Sequence, residues 1–159
     1  MSAFATMRDV LTARSEESMR LSLVASHTDN AVIIADRQGR IEWVNSAFTE
    51  MCGYLPEDVI GRKPGHVLQG PGSDAETLGR IRAAIKNGVG FREELLNYRK
   101  DGTPYWVSLN TSPIRDESGT CIGFVGIERD VTDRRRAEEE RGRMVAIIES
   151  SEDAIVGKA

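Results

Sequence analysis

Three strand-like runs, at 91–99, 104–115 and 120–129, follow one another in the second half of this chain. Asp101-Gly102 separates the first two, and Ser118-Gly119 separates the last two. These dipeptides favour tight turns, because both residue types tolerate the backbone angles that a two-residue reversal needs. Connections this short make neighbouring strands antiparallel, since a parallel pair needs a crossover of a dozen or more residues. The region is therefore a meander, and the rest of the fold must be built around it.

The first half supplies the remaining elements. Residues 30–36 read as a buried strand, Gln38-Gly39 as a turn, and 41–45 as the returning strand of a hairpin. Residues 46–52 look like a short helix that stops at Gly53-Tyr54. A second short helix over 55–61 has Pro56 near its start. The glycine- and proline-rich stretch 61–73 reads as irregular loop. Ser73 or Asp74 then caps a helix that runs to about Lys86 and stops at Asn87-Gly88. The order, strands with helices between and then strands alone, is that of an α+β domain over 26–132.

Both flanks read as helical. Apolar residues at Met7, Val10, Leu11, Leu21, Leu23 and Val24 suggest an amphipathic cap over 1–25. After Asp130-Val131-Thr132-Asp133, where Thr132 or Asp133 can cap, a connecting helix is expected over 133–149. Ala137, Arg141, Met144 and Ile148 fall at heptad spacing along it, so pairing of two copies through the flanking helices is expected. Residues 26–35 and 150–159 match at four of ten positions, so 150–159 reads as the start of a second domain of the same kind.

Composition narrows the classes. With 21 basic and 25 acidic residues interspersed, the net charge of −4 gives no footprint for nucleic acid. The longest apolar run, 31–35, is far short of a membrane span. The N-terminus lacks the basic and apolar regions of a signal peptide, so the expected location is cytoplasmic. Cys52 and Cys121 have no paired spacing and read as inert thiols. His27 and His66 give no metal-ligand pattern. No nucleophile–base pair or phosphate loop is evident, so the chain reads as a sensor without catalysis of its own.

The marks Asp36, Gly39, Ile41, Val44-Asn45, Phe48, Gly53-Tyr54, Gly61, Pro113-Ile114-Arg115-Asp116, Gly119, Gly123-Phe124-Val125-Gly126 and Asp130-Val131-Thr132 resemble those of the PAS family. That resemblance implies a five-stranded antiparallel sheet with short helices on one face, flanked by the two amphipathic helices. A narrower set, Gly61 to Gly70, Ile81-Arg82 and Leu95 to Gly102, is similar to the flavin-binding core of light-oxygen-voltage (LOV) modules. It implies that Gln69 and Asn97 line a flavin ring, with the Asn97 amide offering a donor and an acceptor. Arg82 would hold the flavin phosphate, where a fork of donors suits an anion. Leu68, Leu78, Ile81, Leu96 and Leu109 would form apolar walls, and Phe124 and Gly126 would lie on the last strand under the ring.

The departures from the LOV pattern carry as much information. Pro64 stands in place of an asparagine, and Gly65 in place of the photoactive cysteine. His66 replaces a second phosphate arginine, Val107 a ring-binding asparagine, and Glu128 a glutamine that takes part in LOV signalling. The implied function is a sensory module that binds FAD, or FMN, and reports its redox or photoreduced state without a cysteinyl adduct. Glu128 and Asn97 would respond to the ring, and the C-terminal helix would carry the signal to an output domain of the same polypeptide, as in two-component systems. The alternatives are a PAS domain for haem or a small metabolite, and a ligand-free dimerising spacer.

Overall fold

The computed structural model describes residues 29–158. The helical cap expected over 1–25 lies outside the described residues.

Five strands form one antiparallel sheet: β1 (Ala31–Asp36), β2 (Ile41–Val44), β3 (Phe91–Tyr98), β4 (Pro104–Arg115) and β5 (Cys121–Asp130). Their order across the sheet is β2-β1-β5-β4-β3, so the hairpin β1–β2 joins the meander through β1 and β5. Helices α1 (Ser46–Cys52), α2 (Pro56–Val59), α3 (Pro64–Leu68) and α4 (Ala75–Asn87) fill the long connection between β2 and β3. Helix α5 (Thr132–Lys158) follows β5 after a single residue. It continues through 150–158, the segment read above as the start of a second domain, and these residues are helical here.

Local chemistry explains the boundaries. Asn45 caps α1: its Oδ1 accepts from Phe48 N at 3.1 Å and from Val32 N at 2.9 Å, and its Nδ2 donates to Asn30 O at 3.1 Å. A buried amide satisfied on three sides ties the helix start to β1. Gly53 ends α1 at φ +82°, which a glycine adopts without the steric cost borne by other residues. Asp74 caps α4, accepting from Thr77 N at 2.9 Å and Thr77 Oγ1 at 2.7 Å. Those bonds, the side-chain one first, hold its carboxyl below the usual range.

The expectation of irregular structure over 61–73 needs one correction: Pro64–Leu68 forms the short helix α3. Pro64 at its first turn loses nothing by lacking an N–H, and Leu68 anchors the helix in the core. Thr132 is not a cap but the first helical residue of α5, and its hydroxyl accepts from Trp106 N at 2.9 Å.

The core lies between the sheet and the helices. Ile33, Ile41, Val44, Phe48, Cys52, Val59, Leu68, Leu95, Tyr105 and Val107 pack together there. Alternation sets the faces: on β3, Leu95 and Asn97 point toward the helices while Leu96 and Tyr98 point away. Among the described residues no helix is long and apolar enough to cross a membrane.

Candidate functional site

The helices do not close fully on the sheet. Between α3, α4 and the inner faces of β1, β3, β4 and β5 lies a cavity of about 710 Å³. That size suits a cofactor-sized ligand.

Its walls are apolar. Ile33, Leu68, Leu78, Ile81, Leu95, Leu109 and Phe124 line it, with Gly126 on the floor. A β-carbon on Gly126 would stand 3.2 Å from Thr111 Oγ1, so the bare backbone lets the two strands and any planar occupant lie close.

Twelve of the thirteen residues expected at the site line this cavity: Gly65, His66, Leu68, Gln69, Leu78, Ile81, Arg82, Asn97, Leu109, Phe124, Gly126 and Glu128. Leu96 does not. The strand repeat of two puts it on the far side of β3, against the loop that follows α3, where a β-carbon on Gly72 would lie 2.6 Å from Leu96 Cδ2. Its neighbour Leu95, only 2% exposed, takes the wall position instead.

The loop carrying Gly70 and Gly72 is clamped to the edge of the sheet. Ser73 Oγ donates to Leu96 O at 2.6 Å and accepts from Gly70 N at 3.1 Å, and Gly72 N donates to Tyr98 OH at 2.8 Å. A β-carbon on Gly70 would meet the Tyr98 ring at 2.4 Å, so only glycine fits. This clamp fixes where α3 delivers Gly65 and Gln69.

Two buried polar atoms in the cavity have no hydrogen-bond partner: Asn97 Oδ1 and Glu128 Oε2. Buried polar groups are nearly always paired, and one left alone costs about 1–3 kcal/mol. Burial alone pushes the Glu128 carboxyl up to about 7. At Gly65 a β-carbon would lie 2.8 Å from both amide heteroatoms of Gln69. The Gln69 carboxamide therefore fills the space that a side chain at 65 would take.

The mouth is cationic. Lys63, Arg82, Lys86 and His66 are exposed on α3, α4 and the residue before α3, and all four border the cavity. Arg37, half-buried, was not foreseen as a site residue. It leaves the β1–β2 turn to donate to Ile85 O at 2.6 Å and Lys86 O at 2.9 Å, and stands 5.9 Å from the Phe124 ring centroid. Its guanidinium thus staples the hairpin turn to the end of α4 at the cavity rim. A lone arginine beside a turn gives no sequence signal for this.

Neither cysteine lines the cavity. Cys52 is buried, donates to Phe48 O at 3.1 Å, and its thiol is pushed up to about 11, chiefly by burial. Among the described residues no cluster of three or more His, Cys, Asp or Glu could hold a metal ion.

Behind Glu128 the sheet leads into α5. Asp130 Oδ1 accepts from Thr132 N at 2.9 Å and Thr132 Oγ1 at 2.6 Å, while its Oδ2 pairs with Arg99 Nη2 at 3.1 Å. On the outer face the Arg135 guanidinium stacks 3.6 Å from the Trp106 ring centroid. Arg134 and Arg135 both reach Glu94, at 2.7 and 2.8 Å. Further along α5, Met144, Val145, Ile147 and Ile148 are exposed.

A family profile described as a PAS domain matches residues 29–133. Phototropin-2 of Oryza sativa subsp. japonica is 45% identical over 92 residues, which is 58% of this chain and 10% of that protein. Blue-light-activated histidine kinase 1 of Erythrobacter litoralis (strain HTCC2594) is 39% identical over 105 residues, 64% of this chain and 29% of that protein. The chain thus spans between a tenth and three tenths of these relatives. Among solved structures, the LOV domain from the Erythrobacter litoralis EL346 blue-light activated histidine kinase superposes with a TM-score of 0.61 at 35% identity, covering 64% of this chain and 95% of that one. An RNA-binding light-oxygen-voltage receptor superposes with a TM-score of 0.71 at 26% identity, covering 84% of this chain and 38% of that one.

Proposed function

Because this chain belongs to the PAS-domain family and is a LOV-like module within it, we propose that its cavity binds a flavin. Two of the three unpartnered buried side-chain atoms among the described residues, Asn97 Oδ1 and Glu128 Oε2, belong to residues lining the cavity and carry this reading. An otherwise apolar slot with polar atoms waiting at one place suits a planar ring with one hydrogen-bonding edge. When bound, a flavin supplies a ring that accepts electrons and absorbs blue light.

The chain's own residues then have distinct tasks. Asn97 and Gln69 orient the polar edge of the ring, while Leu78, Ile81, Leu95 and Leu109 exclude water from its faces. Arg82, with Lys63, Lys86 and His66 beside it, attracts a phosphate at the mouth. FAD is the form we favour, since these cations are spread along the opening and the second phosphate arginine is replaced by His66. FMN is the other form the site would take.

The module reports the redox or photoreduced state of its ligand without a thiol. Gly65 offers no side chain, and Cys52 and Cys121 stand outside the cavity. A change in hydrogen bonding at Glu128 and Asn97 is felt along β5 at Asp130, whose carboxylate holds the first residue of α5. Helix α5 passes it to an output domain of the same polypeptide, and the exposed Met144, Ile147 and Ile148 pair it with a second copy.

The test is the absorption spectrum of protein purified in the dark, before and after blue light with a mild reductant. Oxidised-flavin bands that bleach, and return in air, support the reading. A Soret-type band would replace flavin with haem. Colourless protein that takes up neither FAD nor FMN overturns it. Extraction and chromatography of the bound species decides between the two flavins.

A further inference from the structure

Glu128 is the one carboxyl among the described residues that line the cavity, and it is 5% exposed. No cation is paired with it. The groups that face it come from several elements. Cys52 of α1 and Tyr105 of β4 both feel its charge. Asn97 of β3 shares the cavity, and Ala31 of β1 and Leu109 of β4 are its register partners. Cys52 and Tyr105 stay neutral through the physiological range, because burial first and the charge of Glu128 second push both upward. Arg99, a cation whose charge Cys52 and Tyr105 both feel, lies over the Tyr105 ring at 4.4 Å and is paired with Asp130. The mouth cations Lys63, Arg82 and Lys86 are exposed, and burial raises the Glu128 carboxyl.

In the open cavity Glu128 Oε2 has no hydrogen-bond partner, and its charge is eased only by solvent in the cavity. A ring that fills the cavity displaces that solvent. The carboxylate would then be enclosed in a largely apolar cavity with no counter-ion, which costs several kcal/mol. Taking a proton removes the charge and turns Oε2 into a donor for an acceptor on the ring edge.

We infer that an uncharged ring enters this cavity together with one proton, which Glu128 retains for as long as the ligand is bound. Ligand occupancy is thereby coupled to pH, so the module reports proton activity as well as its ligand. The inference rests on the flavin reading above.

The balance is simple: apo-protein with ionised Glu128, plus ring, plus one proton from solvent, gives the complex with Glu128 as the neutral acid. Since the carboxyl of the open cavity is already raised to about 7, uptake is expected only above that pH. Riboflavin is the suitable probe, because it has no phosphate to titrate. Titration calorimetry of the ligand-free full chain at pH 8, in two buffers of different ionisation enthalpy, should give about one proton taken up per riboflavin bound. At pH 5.5 it should give almost none. Affinity should be flat below pH 7 and weaken by up to about tenfold per pH unit above it. In Glu128→Gln, which is neutral at every pH, whatever affinity remains should be independent of pH from 5.5 to 8 and bring no proton uptake. Binding without proton uptake by the wild-type chain at pH 8 overturns the inference alone and leaves the flavin site standing. Failure of riboflavin, FMN and FAD alike to bind anywhere from pH 5 to 9 overturns the flavin reading and the inference with it. Because the wild-type measurement decides by itself, the outcome does not depend on the variant folding.

Discussion

The ligand-free chain should lose stability as pH rises through the range in which Glu128 ionises, and Glu128→Gln should abolish that loss. In the folded chain, burial raises this carboxyl from 4.5 to about 7. Between those two pH values the unfolded chain has released the proton and the folded chain still holds it. Stability therefore falls with rising pH across the window and levels off above it. The effect is fully absent below about pH 4.5 and fully expressed above about pH 7. At a little over 1 kcal/mol per pH unit the ceiling is about 3 kcal/mol, less whatever solvation the cavity returns to the carboxylate. With a urea slope of about 1–3 kcal/mol per molar, the wild-type midpoint should drop by about 1–3 M between pH 5 and pH 8 on this account. Glutamine keeps the shape of the side chain and removes the titration. Contributions from other groups appear equally in both proteins and cancel in the comparison. Urea melts of both ligand-free chains at the two pH values give the answer. Parallel behaviour of wild type and Glu128→Gln, with no differential shift, would refute the argument that this carboxyl is buried without a counter-ion.

Asn97→Ala should sharply reduce the flavin retained through purification, because it removes the amide at the ring edge; retention equal to wild type sinks that role. Gly65→Cys places a thiol where the Gln69 carboxamide now lies, and that flexible side chain can swing away. Flavin-loaded Gly65→Cys should bleach reversibly in blue light without added reductant, and the same response in the wild-type chain would refute the assignment of position 65. Glu94→Ala removes the partner of Arg134 and Arg135 but spares the Trp106 stack. Since these pairs are a third or more exposed, global stability should change by less than about 1 kcal/mol. Amide exchange over 132–137 should nonetheless quicken while the sheet stays protected, and unchanged exchange there would show that Glu94 does not hold the helix.

The sheet was legible because its signals are local. Asp101-Gly102 and Ser118-Gly119 fix two turns of the meander, and the hairpin at Gln38-Gly39 announces itself the same way. The cap at Asp74 and the stop at Gly53 were equally readable, each being a contact within a few residues. What stayed hidden depends on chain segments meeting far apart in sequence. Leu96 was placed in the cavity because strand alternation alone does not say which face is inward. Only the pairing of β3 with β4, together with the loop at Gly72, turns Leu95 toward the helices. Helix α3 was missed because five residues containing a proline and a glycine have no period to detect, and Leu68 in the core supplies the stabilisation instead. Arg37 reaches the cavity rim through carbonyls 48 and 49 residues away, a bond no sequence window contains.

The two departures that define this cavity, Gly65 and Glu128, belong together on physical grounds. A thiol at 65 would give a bound ring a covalent partner and leave residue 128 as a bystander to that bond. With glycine there, the carboxyl of Glu128 is the one acidic group among the described residues that line the cavity. Its position on β5 gives a change of its charge a short way out. Asp130 lies two residues further on, about 7 Å along the strand. Its carboxylate is shared between Arg99 and the first residue of α5, so both groups respond to any shift of the strand end. Neutralising Glu128 also lowers the negative potential that Tyr105 feels, and Tyr105 carries the Arg99 guanidinium on its ring face. Two short routes, the strand to Asp130 and the charge path through Tyr105 and Arg99, therefore join the proposed proton at Glu128 to the ion pair at the root of α5. An Arg99→Gln variant separates the two routes. It removes the cation while leaving Glu128, Asp130 and the strand between them in place. If the charge path through Tyr105 and Arg99 carries the signal, the protection of amides over 132–137, with exchange corrected for its intrinsic base catalysis, should no longer change between pH 6 and 8 in this variant. A pH dependence as large as in the wild-type chain would assign the coupling to the strand itself.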